Sequence, residues 1–263
     1  MNSDLSREEK EHWSLLDVGR RKRRERGIEI VKTYDEYNLV FNENKDFTFM
    51  NHGYYPVHPK CTDILLDTSA SMYCHLVDKF GEVKDKSILD IGCGRGGGTK
   101  ILKKLYDFSE VFGCDLNATN INNCKLEPMG CFFKLDDAQY LGKFKSGYFD
   151  FIINIESSHC YPDHNKFFNS VKRVLKRDGL FITADIIDPV WCSHYSHSIH
   201  QHFKVMEIED ITSNVEKSCE HLLKKFLNPQ LEEEVLIKEI VEKKLDLYSK
   251  RETLFFASLL AKK

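Results

Sequence analysis

The stretch Leu89-Asp-Ile-Gly-Cys-Gly-Arg-Gly-Gly-Gly98 limits the folds open to this chain more than any other. A short apolar run, Ser87–Ile91, leads straight into it and a helical stretch follows, the setting that a nucleotide-binding glycine loop requires. Glycines let the backbone turn sharply there. They also let a ligand approach main-chain N–H groups that a Cβ would block. The embedded GxGxxG serves NAD as readily as another adenosine ligand, so the loop alone points to an architecture and not to a cofactor.

From Lys86 onward, strand and helix patterns alternate. Ser87–Ile91, Glu110–Asp115, Cys131–Leu135, Phe149–Ile155 and Gly179–Asp185 read as five successive strands. A helix with apolar Phe167, Phe168, Val171, Val174 and Leu175 precedes the fifth, and the break at Asp178-Gly179 is expected to stop it. This alternation argues for a parallel, doubly wound α/β sheet. Asp188–His202, rich in His, Ser and aromatic residues, reads as an irregular lid, and Lys204–Asp210 as a half-buried strand. Two helices follow, split by Asn228-Pro229, the second with Leu231, Val235, Ile237, Ile240, Val241 and Leu245 on its apolar face. Thr253–Leu260 reads as the last strand.

Upstream, residues 1–80 read as mostly helical. Ser6-Arg-Glu-Glu9 has the form of a capping box, and helices are expected around Tyr34–Phe41 and Asp63–Phe80, with Asn51-His-Gly-Tyr-Tyr-Pro56 as a loop between them. Tyr34, Tyr37, Phe41 and Phe47 read as packed core or as the lining of an aromatic pocket. A length of 263 residues suits one large domain with a lid. The expected division is a helical N-terminal cover over 1–80 and a main domain over 81–263, with the lid inserted at about 188–250.

Hydrophobic residues at 41% suffice for a sizeable core, and a net charge of −3 gives no overall pull toward nucleic acid or an anionic membrane. The basic run Arg20–Arg26 reads as a solvated helix face. The nine cysteines include no CxxC pair, and Cys93, Cys114, Cys124 and Cys131 fall in or beside core strands. Buried free thiols in a reducing compartment account for them better than disulfides. The polar opening Met1–Ser6 lacks a secretory signal, and no apolar run approaches the ~18 residues that span a bilayer. A cytoplasmic protein without an integral membrane segment is expected.

Acids narrow the ligand. Asp90 stands two residues before the first glycine, where a carboxylate suits an ammonium group better than a pyrophosphate. Asp115 ends the second strand, where a carboxylate accepts both hydroxyls of a ribose. Asp137 follows the third strand, in reach of an adenine's exocyclic amine.

With these acids, Asp90-Ile-Gly-Cys-Gly-Arg-Gly96 resembles the DxGxGxG motif of class I S-adenosyl-L-methionine-dependent methyltransferases. The resemblance covers residues 50–185 well. Within that superfamily the chain is similar to small-molecule enzymes of the phthiotriol/phenolphthiotriol dimycocerosate and sugar O-methyltransferase type. Asn51–Pro56, Ile155-Glu-Ser-Ser-His-Cys-Tyr-Pro-Asp163, Ala184-Asp185 and Glu209–Val215 carry this likeness. It implies a Rossmann-like seven-stranded sheet whose last strand is antiparallel. It also implies that Gly92, Gly94 and Gly96 approach the cofactor, that Asp115 holds its ribose and Asp137 its adenine, and that Tyr54 reaches its methionine carboxylate. Asp90, Leu116, Ala138 and Asn154 are expected beside them.

Methyl transfer from a sulfonium is an in-line displacement that needs alignment, exclusion of water and, for a hydroxyl acceptor, removal of a proton. His159, just past the fourth strand, and Asp185, at the end of the fifth, lie where ligands bind in open α/β sheets. The resemblance implies that His159 is the general base and Asp185 its acidic helper, serving O-methylation of a small-molecule acceptor. The chain departs from the pattern at Cys160, where a second His is common. Spacings of three and two among the histidines of 194–202 do not make a zinc framework, so no metal is expected.

Asn154-Ile-Glu-Ser157 lacks the Pro-Pro of exocyclic-amine methylation, and no basic stripe lies near the expected site, which speaks against a nucleic-acid substrate. A lipid or sterol acceptor, N- or C-methylation by positioning alone, and an NAD-dependent oxidoreductase remain the alternatives.

Overall fold

The computed structural model describes residues 48–187, 192–225 and 254–263, with positions 235, 238, 239, 241 and 242 between them. The capping box Ser6–Glu9, the basic run Arg20–Arg26, the helix at Tyr34–Phe41, the aromatics Tyr34, Tyr37, Phe41 and Phe47, and most of the helix after Pro229 lie outside the described residues.

Apolar alternation builds a sheet with two buried faces. Along β1 (Ser87–Ile91), Ile88 joins one core cluster while Leu89 and Ile91 join the other. β2 (Glu110–Asp115) and β4 (Phe149–Ile155) divide in the same way, Val111 against Phe112 and Ile153 against Ile152. Period-2 division with both sides apolar is the signature of a sheet covered on both faces. α1 (Asp67–Asp78), α2 (Gly97–Leu105), α3 (Ala118–Leu126) and α6 (Thr212–Lys225) supply one layer, through Met72, Leu102, Ile121 and Val215. α4 (His164–Val174) and α5 (Cys192–His202) supply the other, through Phe167, Phe168, Tyr195 and Ile199.

With β3 (Phe132–Leu135), β5 (Leu175–Ile187), β6 (Phe203–Asp210) and β7 (Leu254–Lys262), the sheet has seven strands in the order β3-β2-β1-β4-β5-β7-β6. β1 to β5 are parallel, and β7 is antiparallel to both of its neighbours, as expected. The register pairs Ile91 with Cys114 and with Asn154, Asp115 with Leu135, and Ile155 with Ala184. The residues after these pairs therefore gather at one edge of the sheet.

Two expectations fail, each for a packing reason. Helix α4 ends at Val174 and not at Asp178-Gly179, because β5 already begins at Leu175, paired with Phe149. Gly179 serves close packing instead: a Cβ there would lie 2.7 Å from the Leu175 side chain and 2.9 Å from the Asp150 carbonyl oxygen. Cys192–His202, read as irregular, is helix α5. Among its described side chains the buried stripe is Tyr195 and Ile199, one turn apart, which a segment of Ser, His and Gln conceals from a periodicity reading. Among the described residues of the expected N-terminal cover, 48–66 is loop with a short 3-10 turn at Pro59–Cys61, and α1 is its helix. No helix of the described residues is long and apolar enough to cross a membrane.

Candidate functional site

A cavity of ≈ 510 Å³ opens at the carboxyl ends of the parallel strands, the position that ligands take in such sheets. Segments 48–51, 91–94, 114–117, 136–139, 155–157 and 160–162 form its wall, with Tyr73, Gly98 and Asn120.

The glycine loop closes one side. Gly92 and Gly94 have φ of +74° and +52°, a left-handed backbone that glycine takes without the strain a Cβ adds. A Cβ on Gly92 would overlap the Ser157 side chain. The Gly92 and Cys93 N–H groups both donate to the Cys114 carbonyl, at 2.8 and 3.0 Å, which ties the loop to the end of β2. Asp115 continues that tie: Oδ2 accepts from the Gly94 N–H at 2.8 Å and Oδ1 from the Asn117 N–H at 2.8 Å. The Asn120 side chain and the Leu116 N–H also donate to this carboxylate, which stands on the cavity wall. Burial pushes the Asp115 carboxyl above its ordinary value, against which the loop N–H groups work.

Asp137 stands across the cavity wall, its Oδ1 accepting from the Gln139 N–H at 2.8 Å. Leu116 and Ala138 line the cavity beside the two acids. Six of the residues singled out from sequence thus share one wall: Gly92, Gly94, Asp115, Leu116, Asp137 and Ala138.

Four others lie behind that wall or away from it. Asp90 is 0% exposed, and its Oδ2 accepts from Thr99 Oγ1 at 2.7 Å and from Tyr73 OH at 3.4 Å. It holds the loop from beneath and is not on the cavity wall; burial pushes its carboxyl up to about 7, while Thr99 and Tyr73 pull it down. Gly96 is absent from the wall because it packs inward, where a Cβ would lie 2.7 Å from Cys124 Sγ. Asn154 is fully buried, its Nδ2 donating to the Ile91 carbonyl at 2.8 Å and to Ser157 Oγ at 2.6 Å. It fixes the turn after β4 against the end of β1. Tyr54 stacks on His75, ring centroids 3.8 Å apart, and donates its N–H to the Thr68 carbonyl at 2.9 Å. Those contacts hold it off the cavity wall.

His159 and Asp185 meet as the strand order requires, with His159 Nδ1 2.6 Å from Asp185 Oδ1. Asp185 also accepts from Ser158 Oγ at 2.5 Å and from the His159 N–H at 3.0 Å. Burial would lower the His159 imidazole, but the Asp185 carboxylate outweighs it and holds the ring well above its usual value. Asp185 moves the opposite way: burial raises it, and the His159 charge brings it below the usual carboxylate range. The geometry is that of an ion pair. Neither residue is on the described cavity wall, although the next residue, Cys160, is.

A second pair, not singled out from sequence, does reach the wall. Glu156 follows β4 with φ +49° and lines the cavity. Its Oε1 accepts from the His52 N–H at 2.6 Å, and its Oε2 pairs with His52 Nδ1. Ser218 Oγ donates to the His52 carbonyl at 2.7 Å, so helix α6 braces the arrangement. A non-glycine residue in left-handed backbone costs about 1–3 kcal/mol and persists where its surroundings hold it. Both partners stand in stretches that carried the resemblance, but they are 104 residues apart and no spacing rule joins them.

Comparison with known proteins agrees with this geometry. The family model described as a methyltransferase domain matches residues 89–183. The fatty-acid O-methyltransferase of Mycolicibacterium smegmatis is 35% identical over 150 residues, which cover 54% of this chain and 54% of that protein. The phthiotriol/phenolphthiotriol dimycocerosates methyltransferase of Mycobacterium tuberculosis is 38% identical over 103 residues, 38% of each chain. The chain thus spans about half or less of the length of these curated relatives. Among solved structures, geranyl diphosphate C-methyltransferase from Streptomyces coelicolor A3(2), in complex with Mg2+, geranyl diphosphate and S-adenosyl-L-homocysteine, superposes with a TM-score of 0.68. That match covers 90% of this chain and 98% of that one at 15% identity, a likeness of fold. The resemblance read from Asp90–Gly96 is therefore met by a domain match that contains those residues.

Proposed function

We propose that this protein is an S-adenosyl-L-methionine-dependent methyltransferase that acts on a small, lipid-like acceptor at an oxygen atom. The observation that carries the reading is Asp115, whose carboxylate joins the glycine loop to the cavity wall beside Leu116 and Asn120. The donor set fits an adenosine moiety. Asp115 would accept the ribose hydroxyls and Asp137 an adenine amine, with the bare backbone of Gly92 and Gly94 leaving room at the loop. When bound, S-adenosyl-L-methionine supplies a methyl group activated by its sulfonium charge.

The chain's own residues would supply alignment and dryness. Phe49, Met50, Ile155 and Pro162 give the cavity apolar surface, which suits an alkyl chain and excludes water from the transfer. The names of the two curated relatives, one acting on fatty acids and one on phthiotriol-type lipids, support an acceptor of that class. A carboxylate acceptor arrives already ionised near neutral pH, so only a hydroxyl acceptor requires a base.

For a hydroxyl, His159 backed by Asp185 is the base that the sugar O-methyltransferase pattern implies. One observation favours Glu156 in its place: Glu156 is on the described wall and is held there by His52, whereas His159 is not. Incubation with methyl-labelled cofactor and a panel of fatty acids, hydroxylated lipids and free sugars tests the proposal. Label is expected in the lipid or fatty-acid products; label confined to sugars, or transferred to none of the panel, would contradict it.

A further inference from the structure

Away from the cavity, the loop before α1 brings three metal-ligating side chains together. His58 caps the 3-10 turn Pro59–Cys61, its Nδ1 accepting from the Lys60 N–H at 3.2 Å, and Cys61 ends that turn. Cys74 faces them from the middle of α1, with its Sγ 3.4 Å from Cys61 Sγ. The candidate donor atoms of His58, Cys61 and Cys74 all lie within 4.8 Å of one another. Two thiolates on one tetrahedral zinc ion, each at ~2.3 Å, stand about 3.8 Å apart, so the sulfur pair needs to open by only a few tenths of an ångström.

We propose that His58, Cys61 and Cys74 form a binding site for a zinc-class cation that fastens the loop carrying the 48–51 wall segment to helix α1. The surroundings suit that ligand in three ways. His58 Nε2 bonds Asp78 Oδ2 at 3.0 Å, and Asp78 Oδ1 accepts from Tyr106 OH at 2.7 Å. Donation from Nε2 to a carboxylate leaves Nδ1 as the lone-pair nitrogen, which the metal would take over from the Lys60 N–H, and a carboxylate behind the ring is the usual outer partner of a metal-bound histidine. Two sulfurs and an imidazole are the donors zinc prefers over the oxygen-seeking Mg2+ and Ca2+. Charge also balances. A divalent ion with two thiolates is neutral, which suits a pocket that buries Cys61 and Cys74 completely beside Ala70 and Ile101.

Binding releases the two thiol protons and forms two metal–sulfur bonds and one metal–nitrogen bond, with no change of oxidation state. Three protein donors leave a fourth position for water. The sequence reading expected no metal, because it weighed only the histidines of 194–202. Cys61 and Cys74 do not form a close pair in sequence, and the turn at Pro59 is what folds His58 and Cys61 back onto α1. None of the three residues is on the cavity wall, so this site stands or falls apart from the methyl-transfer reading.

Titration of the full-length, reduced, metal-free protein with Co2+ and then Zn2+ tests the site. The expected result is a thiolate-to-cobalt charge-transfer absorption that saturates at one ion per chain, disappears when Zn2+ is added, and is lost in Cys61→Ser and in Cys74→Ser. Asp78→Asn should keep the absorption while zinc binds about 10- to 100-fold more weakly. Should either cysteine variant fail to fold, His58→Ala, a change at a partly exposed side chain, gives the same reading as a weakened and spectrally shifted complex. Absence of the absorption in the parent, or its persistence unchanged in His58→Ala and Cys61→Ser, would overturn the proposal.

Discussion

His159 Nδ1 lies 2.6 Å from Asp185 Oδ1, a contact that joins the turn after β4 to the end of β5. Asp185 is 2% exposed and the His159 side chain 28%, so one partner is buried and the other half-covered. The His159 imidazole is held above its usual value of about 6.5 and Asp185 below about 3.9. The histidine's contribution to stability is therefore complete below pH ~6.5 and lost as pH rises through the raised value. That of Asp185 is complete above pH ~3.9 and lost as pH falls through the lowered one. In urea, the stability gap between the parent and His159→Gln is expected to be widest between about pH 4 and 6.5, and to narrow on the alkaline side. Asp185→Ala, which strands a charge against buried groups, should cost about 3–5 kcal/mol at pH 6. A gap that widens with pH would mean that the two groups are not an ion pair.

Asp90 behaves in the opposite sense to most carboxylates. Its folded value is raised to about 7, so between pH ~3.9 and ~7 the folded state keeps a proton that the unfolded state has lost. Stability should fall as pH climbs through that window, by at most about 4 kcal/mol. Asp90→Asn cannot ionise and should remove most of this slope. Urea midpoints of parent and variant at pH 5 and pH 8 give the comparison; parallel changes in the two would show that Asp90 is not the titrating group.

Gly98 is the second residue of helix α2, where alanine is ordinarily the better helix former by about 1 kcal/mol. A Cβ at that position would run into the Tyr73 ring, which lines the cavity and whose hydroxyl reaches Asp90. Overpacking should outweigh propensity, so Gly98→Ala is expected to destabilise the protein by about 1–3 kcal/mol and to weaken adenosine-ligand binding. A more stable Gly98→Ala protein would show that the ring has room to move.

Much of this was legible in the chain, and what was missed has identifiable physical causes. The strands Ser87–Ile91, Glu110–Asp115 and Phe149–Ile155 read correctly because buried parallel strands are short apolar runs ended by turn residues. That Asp115 and Asp137 share one cavity wall was legible because strand ends in register are a consequence of parallel order. The depth of Asp90 was not legible, because sequence gives its distance from the glycines but not that its side of β1 faces Thr99 and Tyr73. The His52–Glu156 pair was invisible because a loop and a strand end 104 residues apart are joined only by tertiary folding. Helix α5 escaped because, among its described side chains, the apolar stripe is only Tyr195 and Ile199.

The position of Glu156 on the wall makes a kinetic distinction. With a hydroxyl acceptor, Glu156→Gln is expected to lower turnover by roughly 100-fold or more, as loss of a general base does, while cofactor affinity changes little. His159→Gln should then lose far less, because pairing with Asp185 favours the protonated imidazole, a poorer base. With a fatty acid, which needs no base, both variants should retain most of the parent rate. Rates measured from pH 6 to 9 on both acceptor types decide it. A large loss in His159→Gln alone, recovering as pH rises in no variant, would return the base to His159.

The central claim is that the cavity at the strand ends holds S-adenosyl-L-methionine through Asp115, and calorimetric titration with the demethylated product tests it most directly. The parent protein should bind S-adenosyl-L-homocysteine at one site per chain and bind NAD far more weakly. Asp115→Ala should lose about 1.5–3 kcal/mol of that binding, roughly 10- to 150-fold, through two charge-assisted contacts. Tighter binding of NAD than of S-adenosyl-L-homocysteine, or an Asp115→Ala protein that binds the product as well as its parent, would contradict the account.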